Sequence, residues 1–215
     1  MEQYFVNVFG LKLDAAWWAT PSPSRSAAIA GLRSKLKGLS ERDDFLRAES
    51  YTSLRPDIDL IFFLVSTSVE GLLRCRSEVD KALGRYGAVK YGFVSVYAAN
   101  KSEDRKKNGS SDFFVAYPVK KYSEWYLLDE KERKEIMAEH ISMATDSKNN
   151  DSIKSYTTRS FGIGDSDFLV AYELPDIHDW VKLTEELRGA KAHKWVARED
   201  PVLVGYKGGF DVLSS

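Results

Sequence analysis

The 215-residue sequence has a single cysteine, Cys75, so no intrachain disulfide can form and no cysteine-based metal cage is available. It has three histidines, at positions 140, 178 and 193, too widely spaced along the chain to suggest a closed zinc site. It has almost no net charge, −1 at neutral pH, so no global field draws it to nucleic acid or to an anionic membrane. No apolar run approaches the length of a membrane span, and the stretch Leu60–Val65 is short enough to read as a buried strand. No basic segment followed by an apolar one opens the chain, and no nucleophile elbow is visible. These absences leave a globular, cytoplasmic protein as the expectation. Cys75 lies at helical spacing with Leu72 and Val79 and reads as a core thiol.

What the sequence does have is a repeat. Shifted by 108 positions, Phe9-Gly10 falls on Tyr117-Pro118, and Trp17-Trp18 on Trp125-Tyr126. In the same register, Asp57 and Asp59 fall on Asp165 and Asp167, and Leu72, Cys75 and Val79 on Trp180, Leu183 and Leu187. Each half reads strand, helix, strand, strand, helix, strand. The first half places these at 4–13, 24–39, 46–53, 58–66, 68–86 and 91–99. The second places them at 112–120, 129–146, 152–161, 166–174, 176–190 and 201–206. That order predicts a tandem duplication of a ferredoxin-like βαββαβ unit. Two such units can pack their uncovered sheet faces together into a two-sheet α+β barrel. The predicted halves are 1–108 and 109–215, joined by the polar stretch 100–111. The recurring aspartates read as structural turns, Gly162-Ile163-Gly164-Asp165 as a strand-to-strand turn, and Lys207-Gly208-Gly209-Phe210 as a mobile tail.

Differences at matched positions point to function. The helix over 129–146 opens at Asp129 with Glu132 three residues on, a capping-box pattern. On its apolar face, with Ile136, Met137, Met143 and Ala144, stands His140, whose partner in the first copy is Leu32. Two readings of His140 are open: a hydrogen-bonded core histidine, or a ligand. Without clustered ligands, a porphyrin is the metal carrier that fits, since one axial histidine is sufficient for it. The strand Phe113–Lys121, followed by Trp125 and Tyr126, offers an aromatic wall with cations at its rim.

The stretch Tyr117-Pro118-Val119-Lys120-Lys121-Tyr122-Ser123-Glu124-Trp125-Tyr126, followed by Ala138-Glu139-His140, resembles the chlorite dismutase-like heme protein family. Ser160–Phe168, Leu187-Arg188 and Asp200–Gly205 in the second half, and Leu54–Leu60 in the first, are similar to it as well. The family includes chlorite dismutases and coproheme decarboxylases. The resemblance implies paired ferredoxin-like halves, with heme b or coproheme in the second half and none in the first, and a ring-shaped homo-oligomer, often a pentamer. It implies His140 as the axial ligand, Lys121 near the propionates, Trp125 in the pocket wall, and Tyr117 as the tyrosine that decarboxylases oxidise. The implied activity is peroxide-dependent decarboxylation of iron coproporphyrin; chlorite dismutation and non-catalytic heme carriage are the alternatives. The sequence departs from the family at Ser155, where chlorite dismutases carry a distal arginine and some decarboxylases a glutamine. Arg159 lies four residues on, with the same strand parity. Where some members pair the axial imidazole with a carboxylate, this chain has about Ala192, beside His193.

Overall fold

The computed structural model describes residues 2–99 and 111–215. The first half runs β1 (Glu2–Leu13), α1 (Ala15–Ala19), α2 (Ser22–Ser40), β2 (Phe45–Ser53), β3 (Leu60–Ser66), α3 (Val69–Leu83) and β4 (Gly87–Ala99). The second runs β5 (Phe113–Lys121), α4 (Glu130–Asp146), β6 (Lys154–Arg159), β7 (Phe168–Leu174), α5 (Ile177–Leu187), β8 (Val196–Arg198) and β9 (Leu203–Tyr206). Short 3-10 turns at Ser123–Leu127, Lys148–Asn150 and Lys191–Trp195 complete it. The expected linker and the boundary between halves lie largely outside the described residues. Among the described residues, no helix is long and apolar enough to cross a membrane.

The strands form one nine-stranded sheet in the order β7-β6-β4-β1-β3-β2-β9-β5-β8, and β7 also pairs with β5. That extra pairing closes a barrel, with β8 left outside the ring. Within it, β4-β1-β3-β2 and β9-β5-β7-β6 each show the ferredoxin-like order. The seams between halves are short: Val96 opposite Arg159, and Thr52 and Ser53 opposite Tyr206 and Gly205. The duplication extends to single hydrogen bonds. Leu13 N donates to Asp59 Oδ2 at 2.6 Å, and 108 positions on Lys121 N donates to Asp167 Oδ2 at 2.7 Å. Asp59 N donates to Leu11 O at 2.8 Å and Asp167 N to Val119 O at 3.0 Å. The repeated aspartates therefore tie one strand end to the next loop, as a structural role requires.

Strand alternation sorts the core into layers. Inside the barrel lie Tyr4, Val6, Val8, Tyr51, Ile61, Phe63, Phe114, Tyr156 and Leu169, drawn from both halves. Outside, the first half packs Phe9, Leu13, Trp17, Leu32, Leu36, Leu64, Cys75 and Val79 between sheet and helices. The second half packs Val115, Leu174, Trp180 and Leu183 under α5, and a smaller cluster of Trp125, Ile136 and Ala192 under α4.

Two local expectations are corrected. The residues after Gly208 are a docked segment: Phe210 and Leu213 are buried in the first half's core. Trp17 Nε1 donates to Leu213 O at 2.8 Å, Ser22 Oγ bonds Ser214 O, and Gly209 turns the chain with φ +74°. A pair of glycines reads as flexible, yet here it makes the bend that returns the chain across its own fold. At α4, Asp129 is the N-cap residue as expected, but its side chain makes no capping hydrogen bond, so the box is not closed.

Candidate active site on the outer face of the second half

The site begins with a difference between equivalent layers. Ladder register places Val115 and Ser155 opposite Tyr172, and Tyr117 and Thr157 opposite Val170. These side chains share the outer, helix-facing side of the sheet. In the first half that face is closed: α2 lies against β2 and α3, and Phe45 and Ala48 are buried. In the second half Ser155, Thr157 and Arg159 are exposed, while Lys154, Tyr156 and Thr158 turn inward and are buried. Helix α4 packs chiefly on α5 and on the 3-10 turns Lys191–Trp195 and Lys148–Asn150. The outer face of β6 is therefore not covered by α4 in the way α2 covers β2.

His140 stands on α4 one turn beyond buried Ile136. Its Nδ1 is buried and has no hydrogen-bond partner. Burial, with the nearby Lys121 ammonium and the His193 ring, lowers its pKa from the ordinary histidine value. The ring is thus held neutral, the form in which imidazole binds a metal. A core histidine ordinarily satisfies that nitrogen, and a metal-bound one ordinarily does so as well, so the orphaned atom marks an imidazole whose polar partner the described residues do not supply. Among the described residues, no group of three or more His, Cys, Asp or Glu converges as a metal site. Any metal held at His140 therefore needs most of its ligands from elsewhere.

Lys121, at the end of β5, is fixed at both ends. Its backbone N–H goes to Asp167, its Nζ donates to Ala192 O at 3.1 Å, and the ammonium lies 5.0 Å from the Trp125 ring centre. Burial lowers its pKa, and Glu199 and Asp167 oppose that shift. Trp125 is buried in the 3-10 turn after β5, in the same cluster as Ile136 and Ala192, with Trp195 at 6.0 Å. His140, Lys121 and Trp125 are therefore brought together.

Tyr117 lies further along the same strand face, half-buried. Burial raises its pKa well above the ordinary phenol value, with Tyr172 and Glu199 adding to the effect and Arg188 opposing it. Arg188 pairs with Glu199 at 3.1 Å and reaches the His193 ring. Ser155 is on the same face, opposite Tyr172, but exposed; Arg159 has that parity too and lies at the far end of β6, opposite Phe168. Sequence reasoning did not single out Tyr172 or Glu199. Asp167 was visible through its repeat partner Asp59, but as a turn residue only. An open depression of about 590 Å³ on the solvent side of α4, lined by Glu130, Lys131, Lys134, Glu135 and Ala138, involves none of these groups.

The comparisons with known proteins agree with one another. The family model for chlorite dismutase matches residues 25–208. The coproheme decarboxylase of Mycolicibacterium smegmatis is 28% identical over 160 residues, 71% of this chain and 68% of that protein. A crystal structure provisionally assigned as a chlorite dismutase is 31% identical and superposes with a TM-score of 0.87, covering 100% of this chain and 98% of that one. A mutant chlorite dismutase from Candidatus Nitrospira defluvii, at 23% identity, has a TM-score of 0.82 and covers 98% and 94%. At that identity the likeness bears on the fold alone.

Proposed function

The chain belongs to the chlorite dismutase family, and from that premise we propose that it binds an iron porphyrin through His140 and uses hydrogen peroxide to decarboxylate iron coproporphyrin. The observation that carries the reading is the unpartnered imidazole of His140 in the neighbourhood of Lys121 and Trp125, where the first copy has a packed Leu32. The residues present suit the group. One neutral imidazole suffices for an axial ligand, Trp125 and the β5–β7 face offer apolar walls, and Lys121 offers a cation for a carboxylate.

The bound iron porphyrin supplies the redox chemistry, transmitting the oxidising power of peroxide to the protein. The chain's own residues do the rest. His140 orients the macrocycle. Lys121, half-desolvated and pinned by Ala192 O, holds a propionate carboxylate by a charge-assisted hydrogen bond. Tyr117 gives up its phenolic hydrogen on oxidation, and its oxygen then takes a hydrogen from the propionate side chain. Loss of a further electron releases carbon dioxide and leaves a vinyl group. Each propionate lost consumes one peroxide, which is reduced to two waters. The raised pKa keeps Tyr117 a neutral phenol until it is oxidised. In this reading Ser155, exposed opposite Tyr172, is the small hydroxyl that leaves room for peroxide. Its lack of charge favours this reading over chlorite dismutation, for which a cation at that position is expected. The second half, from about residue 109, carries the porphyrin, and the first half is scaffold. The same reading includes a homo-oligomeric ring, a pentamer, which sedimentation would count.

Titrating the purified chain with iron coproporphyrin, followed by peroxide and mass spectrometry, tests the proposal. With the unaltered chain the Soret band is expected to shift, and the porphyrin is expected to lose carbon dioxide and two hydrogens per propionate. His140→Ala should abolish the shift, and Tyr117→Phe should keep it while abolishing the mass loss. An undiminished Soret shift in His140→Ala removes the axial role, and undiminished mass loss in Tyr117→Phe removes the radical role.

A further inference from the structure

Tyr117 is one of a stack of aromatic rings. Tyr172, its diagonal neighbour across the β5–β7 ladder, stacks on it with 6.1 Å between ring centres and 27° between planes. Trp180 of α5 closes the far side of Tyr172 at 4.2 Å and is itself buried. The two phenol rings thus lie side by side on one strand face. The repeat supplies an independent observation. The first-copy partners of Tyr117, Tyr172 and Trp180 are Phe9, Leu64 and Leu72, all members of or packed against that half's core. Packing in this fold therefore needs no hydroxyl at either tyrosine position. Yet two oxidisable phenols occur together, in contact, on the face where the proposed chemistry takes place.

We propose that Tyr172 is a second redox-active residue, exchanging a hydrogen atom with Tyr117 across their stacked pair. The proposal rests on the decarboxylase reading above, in which hydrogen peroxide is the oxidant. Once Tyr117 has lost its phenolic hydrogen, the O–H bond of Tyr172 breaks and the O–H bond of Tyr117 re-forms. One electron and one proton move together: Tyr117 is reduced, Tyr172 is oxidised, and no other reactant is needed. Exchange between like phenols is close to thermoneutral, so the oxidising equivalent is shared. On Tyr172 it is covered by Trp180 and separated from the propionate by Tyr117. An equivalent that finds no carboxylate in place is stored there until it returns, instead of attacking the porphyrin.

Freeze-quench electron paramagnetic resonance of the coproporphyrin-loaded chain after peroxide addition reads this directly, with ring-deuterated tyrosine identifying the tyrosyl signal. The unaltered chain should show two sets of tyrosyl hyperfine splittings. Tyr172→Phe, which removes only an oxygen, should show one set and several-fold more porphyrin bleaching per peroxide, with its Soret band unchanged. A single set in the unaltered chain overturns the proposal, as does a spectrum unchanged in Tyr172→Phe, while continued carbon dioxide loss leaves the decarboxylase reading standing. A loaded chain with neither tyrosyl signal nor carbon dioxide loss overturns both.

Discussion

Replacing Glu173 with alanine should destabilise the protein by about 3–5 kcal/mol, the range for breaking a buried ion pair by removing one partner. Glu173 points into the barrel and is 6% exposed. Its carboxylate accepts from Arg47 Nε at 3.0 Å, from the Tyr51 hydroxyl at 3.2 Å and from the Tyr156 hydroxyl at 2.6 Å. Arg47 and Tyr51 belong to the first half, and Tyr156 and Glu173 to the second, so this one carboxylate joins the two. A hydrogen bond to a charged group contributes about 1.5–3 kcal/mol. Three of them at the low end of that range match the upper end of the expected loss. Burial by itself raises the Glu173 pKa, but Arg47 and the Tyr156 hydroxyl outweigh it, so the folded value lies below the ordinary one. The sign follows: the stabilisation is present above the unfolded-state pKa and is lost as pH falls toward the folded-state value. Urea denaturation followed by circular dichroism, at neutral pH and again near pH 4, measures both effects. A loss under about 1 kcal/mol, the worth of an exposed pair, would refute the reasoning. So would a Glu173→Gln protein whose stability fell with acid as steeply as that of the unaltered chain.

Three other outcomes follow from the geometry. The Cys75 thiol is buried, which pushes its pKa up to about 12, so a thiol reagent at pH 8 should fail to label the folded chain and label it fully in urea. Substituting Phe210 and Leu213 together with alanine should lower stability by several kcal/mol, at about 2–5 kcal/mol for each buried side chain lost. An unchanged urea midpoint would show the C-terminal segment to be as mobile as its glycines suggest. Lys121→Met keeps the packing on Trp125 but removes the ammonium, and should weaken iron coproporphyrin binding about tenfold, equivalent to about 1.4 kcal/mol. Equal affinities in fluorescence-quenching titrations would exclude a carboxylate at that amine.

The element order was legible because alternation and helical spacing are local signals. The strands 58–66 and 166–174 are found at Leu60–Ser66 and Phe168–Leu174, and the helix over 129–146 at Glu130–Asp146. The 108-residue register was legible because it is carried by polarity along the whole chain. What escaped was long-range pairing. Glu173 looks like an ordinary polar position in an apolar strand, and its partners Arg47 and Tyr51 lie 126 and 122 residues away. The bond from Trp17 to Leu213 O spans 196 positions, so nothing near Gly208-Gly209 announces the docking of the tail. Of the candidate site, His140, Lys121 and Trp125 were legible as an imidazole, a strand-end cation and a ring after the strand. Tyr172 was not, since an aromatic in a buried strand is ordinarily core.

The repeat also explains why the candidate site lies where it does. Carried back 108 positions, His140, Tyr117, Lys121, Tyr172 and Trp125 become Leu32, Phe9, Leu13, Leu64 and Trp17. All of these are buried in one cluster, the core between sheet and helices of the first half. The candidate site thus occupies the place where the first copy has its outer core. Each leucine given up there forgoes about 1.5–3 kcal/mol of apolar burial, and α4 keeps only Ile136 as a buried residue. A single ferredoxin-like unit could ill sustain that loss, because its outer layer is most of its core. In the closed barrel the second sheet has another source of cohesion. Phe114, Ala116, Tyr156, Leu169 and Ala171 pack inward against Tyr51, Ile61 and Phe63 of the first half. The duplication therefore separates two tasks: the inner faces hold the sheet, and the outer face of one copy is freed from packing to carry polar and oxidisable side chains.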